Sequence, residues 1–541
     1  MSNPLHVAFL WHMHQPFYKD ISTGEYALPW VRLHGIKDYY EMVSILEAYP
    51  KIHQTFNMVP SLMIQLDEYA KGASDKYLAH TVMKAKDLSH GQKSFILQEF
   101  FSANWDNMIK PFPRYRELIE KRGITIPGDG LPAAIKRFNT QDFLDLQVWF
   151  NIAWFDPQFQ GKDSLLVNLI QKQRNFTEEE KQTLIDKQRE LISWILPEYK
   201  RMQDKGQIEV SVTPYYHPIL PLLCNMELAR QSDPTVTLPN KKFAAPEDAR
   251  MQIKMAVECY QHHFGCSPRG MWPSEGSVCN DIVPLVADNE IKWLATDEWN
   301  LYHTLGIDRY SAHLLYKPYC LEVDGRRVNM VFRDRTLSDT IGFTYSKWNT
   351  YDAVSDFITR LHHIKDMLPK KRNHLVCIAM DGENAWEYYS KNGWEFLEYL
   401  YTSLSHDEGI RCVTISEYLQ ENPAQETITD IHPGSWINSN FQIWIGGKEE
   451  NRAWDYLYEA REALVGFEKK HGQSDKTKKA WEYIYIAEGS DWFWWYGDKH
   501  YSPNADIFDS LFRGYLEGVY KTLGLSVPEG LKRQIRGSVV S

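Results

Sequence analysis

Short apolar runs recur along this chain, and most of them stop abruptly on ionisable or aromatic residues. "LHVAFLW" (5–11) leads into His12, His14, Gln15 and Pro16; "GQIEVSVTPYY" (206–216) is followed by His217 and Pro218. "RGMW" (269–272) leads into Pro273, Ser274 and Glu275, and "IKWLATDE" (291–298) ends in Asp297 and Glu298. "VNMVF" (328–332) runs into Arg333, Asp334 and Arg335, and "HLVCIAM" (374–380) into Asp381, Gly382 and Glu383. With "IRCVTI" (410–415) these make at least seven buried-type strands. Helical patterns lie between them, so the chain predicts βαβ units and a parallel sheet of the α/β class. "SVCNDIVPLVADN" (277–289) supplies one crossover helix, which Pro284 is expected to kink. A closed or nearly closed barrel of such units gathers the carboxyl ends of its strands on one face, where chemistry is placed.

Two regions leave the strand rhythm. Residues from about 61 to 205 are helical in pattern, with a capping box from Thr177 to Glu180, and read as an insertion into the barrel. From about 416 the pattern is helical again, so the expected organisation is a catalytic barrel over 1–415 and a C-terminal helical domain over 416–541 that contributes to the substrate cleft. "AEGSDWFWWYGD" (487–498) crowds Trp492, Phe493, Trp494, Trp495 and Tyr496 together. One helix face cannot hide such a run; part of it packs across the domain boundary or lines a groove.

Charge and composition narrow the ligand. Lys and Arg total 60 against 71 Asp and Glu, a net charge of −11, which argues against nucleic acid and anionic membrane as partners. Aromatic residues make up 14%, including 19 Trp and 31 Tyr, and rings with one flat face and one polar handle suit sugars. The amino terminus has neither the basic nor the long apolar segment of a secretory signal, and no run approaches the ~20 apolar residues of a membrane span. Seven scattered cysteines without a CxxC pair fit reduced thiols, and the expected location is cytoplasmic.

Three constellations carry candidate chemistry. His12 and His14 stand two apart at a strand end and share a face, ready to hydrogen-bond a polar substrate or, with His217 or Asp381 as third ligand, to hold a metal. Glu275 in "MWPSEGSVC" precedes a predicted helix, whose dipole would favour its ionised form. Asp381 and Glu383 in "MDGEN" offer a second carboxylate, with Trp386 nearby as a ring for a sugar to stack on. Two carboxylates facing one another resist double ionisation, so one acts as acid and the other as base or nucleophile, the equipment that cleaves a glycosidic bond. Pattern alone does not choose between Asp381 and Glu383.

In order, "WHMHQP", "EVSVTPYYHPILPLL", "MWPSEGSV", "AMDGENAWEYY" and "AEGSDWFWWYG" resemble the five characteristic regions of glycoside hydrolase family 57, most closely its α-amylase and amylopullulanase branch. "FRDRTLSDTIGF" (332–343) is similar to a further segment of that branch. The resemblance implies an incomplete (β/α)7 barrel followed by a helical domain, and a retaining enzyme acting on α-1,4-linked glucans, with α-1,6 bonds as an additional target. It assigns the nucleophile to Glu275 and the general acid/base to Asp381, with His14 and His217 as substrate contacts and His12, Trp272, Asp334, Trp386 and Asp491 as their neighbours. No metal or organic cofactor is implied. A 4-α-glucanotransferase or branching enzyme is the alternative on the same fold. A metal-dependent hydrolase or deacetylase built on the two N-terminal histidines, or an inactive glucan-binding protein, is the alternative from another class.

Overall fold

In the computed structural model, which describes residues 3–125 and 130–537, ten strands form one sheet. They are β1 (Leu5–Met13), β2 (Gln54–Met58), β3 (Ile208–Val212), β4 (Gly270–Met271), β5 (Trp293–Asp297), β6 (Tyr319–Val323), β7 (Arg326–Arg333), β8 (Leu375–Asp381), β9 (Ile410–Cys412) and β10 (Glu426–Ile428). Seven of them, β1, β2, β3, β4, β5, β7 and β8, pair in parallel around a ring, and β8 pairs back onto β1 from His6↔Leu375 to His12↔Asp381. One residue pair, Arg333↔Cys377, joins β7 to β8. The expected seven-stranded barrel is present, and it closes at a single-pair seam. β6 forms an antiparallel hairpin on β7 and carries β10 outside the ring.

Six of the seven apolar runs are ring strands. The seventh, "IRCVTI", supplies β9, which pairs with the amino end of β1 outside the ring. Its place in the ring belongs to β2, "QTFNM", which no apolar run announces because Gln54, Thr55 and Asn57 are all buried polar residues.

Period-two alternation explains both the ring and the exception. Val7, Phe9, Trp11 and Met13 of β1 face the surrounding helices, whereas Ala8 and Leu10 join Trp272, Trp293, Ala295, Val331, Leu375, Cys377 and Ala379 in a separate core inside the barrel. On β2 and β3 the outward residues are Phe56, Met58, Ile208, Val210 and Val212. Thr55, Asn57, Glu209, Ser211 and Thr213 fall on the opposite parity and are hydrogen-bonded to one another or to the strand surroundings. Half of the lumen is therefore polar. Glu209 accepts from the indole of Trp293 at 2.9 Å and from the backbone N–H of Ser416 at 2.9 Å, so its burial leaves no oxygen unpaired.

Helices from Pro60–Ala70 to Glu178–Asp204 occupy the stretch between β2 and β3, and the last begins with the Thr177–Glu180 capping box. Pro284 sits in the first turn of the helix Ile282–Asp288, where no intrahelical N–H bond is due, so it starts that helix instead of kinking it. Beyond β10 the helices Lys448–His471, Asp475–Ala487 and Ala505–Leu523 pack together, and Arg461 ties them to the barrel helix Pro246–Phe264 through Glu247 and Asp248. Among the described residues no helix is long and apolar enough to cross a membrane.

Gly270 shows how tightly the lumen is filled. A Cβ there would lie 1.8–2.4 Å from the indole of Trp293, inside its van der Waals surface. Gly270→Ala is expected to destabilise the protein by about 3 kcal/mol or more through overpacking. Thermal unfolding checks this, and adding Trp293→Phe should recover part of the loss if the clash is the cause.

Candidate active site

The carboxyl ends of the ring strands open into a cavity of about 660 Å³. His12, His14, Glu275, Asp381 and Asp491 line it, together with Trp436, Trp494, Trp495, Asn384, Glu387 and Tyr388. Strand parity brings the first of these together. His12 continues the inward series of Ala8 and Leu10, Asp381 that of Leu375, Cys377 and Ala379, and the two are direct neighbours across the β1–β8 ladder.

Glu275 reaches the cavity by a strained turn. It lies in a single 3₁₀ turn, Ser274–Gly276, with φ 57° and ψ 25°, a left-handed conformation that is unfavourable for a residue with a Cβ. The expected helix start is not its setting: the next helix begins at Ile282, and Glu275 takes its hydrogen bonds from Trp436. The Trp436 indole donates to Oε2 at 2.7 Å and its backbone N–H to the Glu275 carbonyl at 2.8 Å. Trp436 is itself pinned, its carbonyl accepting from Arg335 at 3.0 Å, its ring under the Arg333 guanidinium at 5.2 Å and against Trp272 at 5.2 Å.

Burial raises both carboxyls above their ordinary range. Burial pushes Glu275 up to about 8, Asp381 and Asp491 add to the rise, and the Trp436 indole opposes it. Burial also lifts Asp381, against the Asn384 amide at 3.0 Å and the charges of His14 and Arg333. At neutral pH the pair therefore retains a proton, the condition for one group to be an acid while the other is a base. Glu383 lines the same cavity and is tied to the end of β1. Its Oε1 accepts from Gln15 Nε2 at 3.3 Å and from the His14 backbone at 3.4 Å, and burial, with Asp381 beside it, raises its proton affinity well above the ordinary carboxylate range.

The imidazoles form a stack. His14 and His217 lie face to face with centroids 3.8 Å apart and planes 17° apart, and His12 stands 5.5 and 5.3 Å from them. Burial and the neighbouring rings depress His12 to about 3 and His217 well below its ordinary value, so both are neutral at pH 7. Asn57 Oδ1 accepts from Thr213 and lies 2.7 Å from His12 Nδ1, which assigns the proton to Nδ1 and leaves Nε2 a free acceptor. His14 Nε2 lies 2.8 Å from Asp491, and His217 Nδ1 lies 2.8 Å from Ser490 Oγ. Among the described residues, ligand atoms of His14, His217 and Asp491 approach within 4.8 Å of one another. As built they do not suit a metal: lone pairs lie in the ring planes, and two nearly parallel stacked rings cannot both aim at one ion ~2.1 Å away. His12 and His14 line the cavity, whereas His217, expected as a substrate contact, is fully buried against the His14 ring.

Three expected neighbours sit beneath the cavity instead of in it. Trp386 is fully buried against Trp11 and Phe396, and its indole donates to the Gly382 carbonyl at 2.7 Å, so it braces the turn after Asp381 and offers no free face. Trp272 is buried between His12 and Trp436. Asp334 caps the helix Arg335–Asp339 through the Leu337 N–H at 2.8 Å and accepts from Tyr316 at 2.6 Å. The aromatic run divides: Trp492, Phe493 and Tyr496 are buried, while Trp494 and Trp495 line the cavity. Trp436 is the residue that sequence reasoning missed, since it stands alone in a loop with no periodicity or motif around it.

The structure is similar to a branching enzyme from Pyrococcus horikoshii (TM-score 0.61, 15% identity, 96% of this chain and 94% of that one). It is similar to the alpha-amylase AmyC from Thermotoga maritima (0.58, 13%, 98% and 96%) and to the 4-alpha-glucanotransferase from Thermococcus litoralis (0.54, 15%, 97% and 61%). At these identities the likeness is one of fold. Among curated protein sequences there is no significant match. The family profile of glycosyl hydrolase family 57 matches residues 8–431, and the chain belongs to that family.

Proposed function

We propose that the protein is a cytoplasmic, retaining enzyme of α-1,4-glucans, amylase-like, with Glu275 as nucleophile and Asp381 as general acid/base. The observation that carries this reading is that two buried carboxyls, Glu275 and Asp381, line one cavity with His12, His14, Trp436, Trp494 and Trp495, and that Asp381 adds to the raised proton affinity of Glu275. Membership of the family supports glycosidic chemistry. The names of the structural neighbours, a branching enzyme, an alpha-amylase and a 4-alpha-glucanotransferase, support an α-glucan as substrate. Bonds of the α-1,6 type fall within the same proposal as a secondary target. Asp491, Trp494 and Trp495, which line the cavity, support a division in which residues 416–541 complete a cleft begun by 1–415.

In the proposed reaction Glu275 attacks the anomeric carbon while Asp381 gives its proton to the departing oxygen. Asp381 then takes a proton from the water or sugar hydroxyl that releases the glycosyl group. In the substrate-free protein burial raises both carboxyls, Glu275 to about 8. Positive charge growing at the anomeric carbon beside Glu275 favours its ionised form, the form that acts as nucleophile. The Trp436 indole, donating to Oε2, stabilises that ionised form. The Nε2 acceptor of His12 and the His14–Asp491 pair are placed to bind hydroxyls of the same sugar.

Product analysis with maltoheptaose tests the assignment. The wild type is expected to release short maltooligosaccharides, or longer products if sugar outcompetes water as acceptor. Glu275→Gln and Asp381→Asn should each lower kcat by about 10³-fold or more. An untouched substrate, or full activity in either variant, would refute the reading.

The pH dependence is a second check. The pair works with one proton: below the lower of its two pKa values both carboxyls are protonated and no nucleophile remains, and above the higher both are ionised and no acid remains. The kcat/KM profile is expected to be bell-shaped, with its alkaline limb near 8. Trp436→Phe deletes the donor that lowers Glu275, so that limb should move upward and kcat/KM should fall by about tenfold.

A further inference from the structure

Beside the cavity mouth the protein exposes aromatic surface that its own fold does not use. Phe343 is 73% exposed, Trp348 45%, Tyr351 63% and Tyr388 58%. They belong to two segments that pack together, the turn Trp386–Tyr388 lying against the turn Tyr345–Lys347. Beneath them is a buried floor: Tyr345 and Tyr389 both pack on Phe396, and the Tyr389 hydroxyl donates to the Ile341 carbonyl at 2.6 Å. Trp348 stands edge-on to Tyr345 at 5.5 Å, and Tyr351 edge-on to Tyr399 at 4.6 Å. The rings are held from below while their outer faces stay in water.

Resting on the α-glucan reading above, we propose that Phe343, Trp348 and Tyr351 form a secondary binding track for the distal part of a long α-glucan chain. Contiguous exposed apolar surface marks a binding site, and three features select this occupant. The exposed apolar side chains from 340 to 352 are all aromatic, and flat rings match the C–H faces of pyranose units. Between the rings stand exposed Thr344, Lys347, Asn349 and Asp352, donors and acceptors for sugar hydroxyls. Tyr388 belongs both to this surface and to the cavity lining, so the track is continuous with the catalytic cleft. A protein partner seated on Tyr388 would stand across the entrance. A glucan whose one end lies at Glu275 and Asp381 passes over Tyr388 and continues along the track.

The test compares long and short substrates in the full-length protein carrying Phe343→Ala, Trp348→Ala and Tyr351→Ala together. Retardation in native gels containing amylose is expected to weaken by about tenfold, and kcat/KM on amylose to fall similarly, while kcat/KM on maltotetraose stays within twofold of the wild type. Trp348→Phe, which keeps a ring, should retain most of the amylose affinity, and an unchanged thermal midpoint of the triple variant separates lost contact from lost folding. Equal retardation of wild type and triple variant would overturn the track and leave the glycosidase reading standing. A wild type that cleaves maltotetraose but shows no retardation would also overturn it. A wild type that neither binds amylose nor cleaves any maltooligosaccharide would overturn both. If sedimentation shows a dimer that the triple variant dissolves, with amylose retardation unchanged, the surface is a self-interface and the proposal fails.

Discussion

The register between β1 and β8 is the constraint on which the site depends. His6 faces Leu375 and the ladder runs without a bulge to His12 opposite Asp381. Because side chains alternate with period two, a slip of one residue would turn Asp381 toward the outer helices and bring Met380 into the lumen. What holds the register is packing on both faces: Phe9, Trp11, Val376 and Ile378 fit the helical layer, while Ala8, Leu10, Cys377 and Ala379 fit the lumen. The chemistry at the strand ends is thus specified by apolar residues well below it.

A second layer of control comes from loops that clamp the carboxylates. Glu275 is held in a left-handed conformation by a tryptophan that bonds both its backbone and its side chain, and that tryptophan is fixed by two arginines. Trp386 performs a comparable service for the turn after Asp381. Deep burial lifts the proton affinities of both groups, and fixed donors trim that effect without moving when charge changes. Burial keeps His12 and His217 neutral near pH 7.

Much of this was legible in the sequence because strand ends concentrate charge. The apolar runs before His12, Asp297, Arg333 and Asp381 are buried on two faces, and such runs stop where the barrel opens. β2 escaped because its inward residues are polar and serve the imidazole wall, which leaves only Phe56 and Met58 to mark it. Trp272, Trp386 and Asp334 were placed too near the cavity because closeness along the chain does not tell which face of a turn a side chain takes. Trp436 is brought to Glu275 across 161 positions by tertiary packing alone. Local pattern carries no record of such a contact.

The pairing of His14 with Asp491 spans 477 positions. At ribosomal rates of about 5–20 residues per second, roughly half a minute to a minute and a half separates the synthesis of the two partners. During that interval β1 is present but the wall it carries lacks its carboxylate. The nascent barrel therefore lacks this contact until the last helices dock. A chain stalled or cleaved before Asp491 has both carboxylates of the proposed pair but lacks Asp491, Trp494 and Trp495 from the cavity lining.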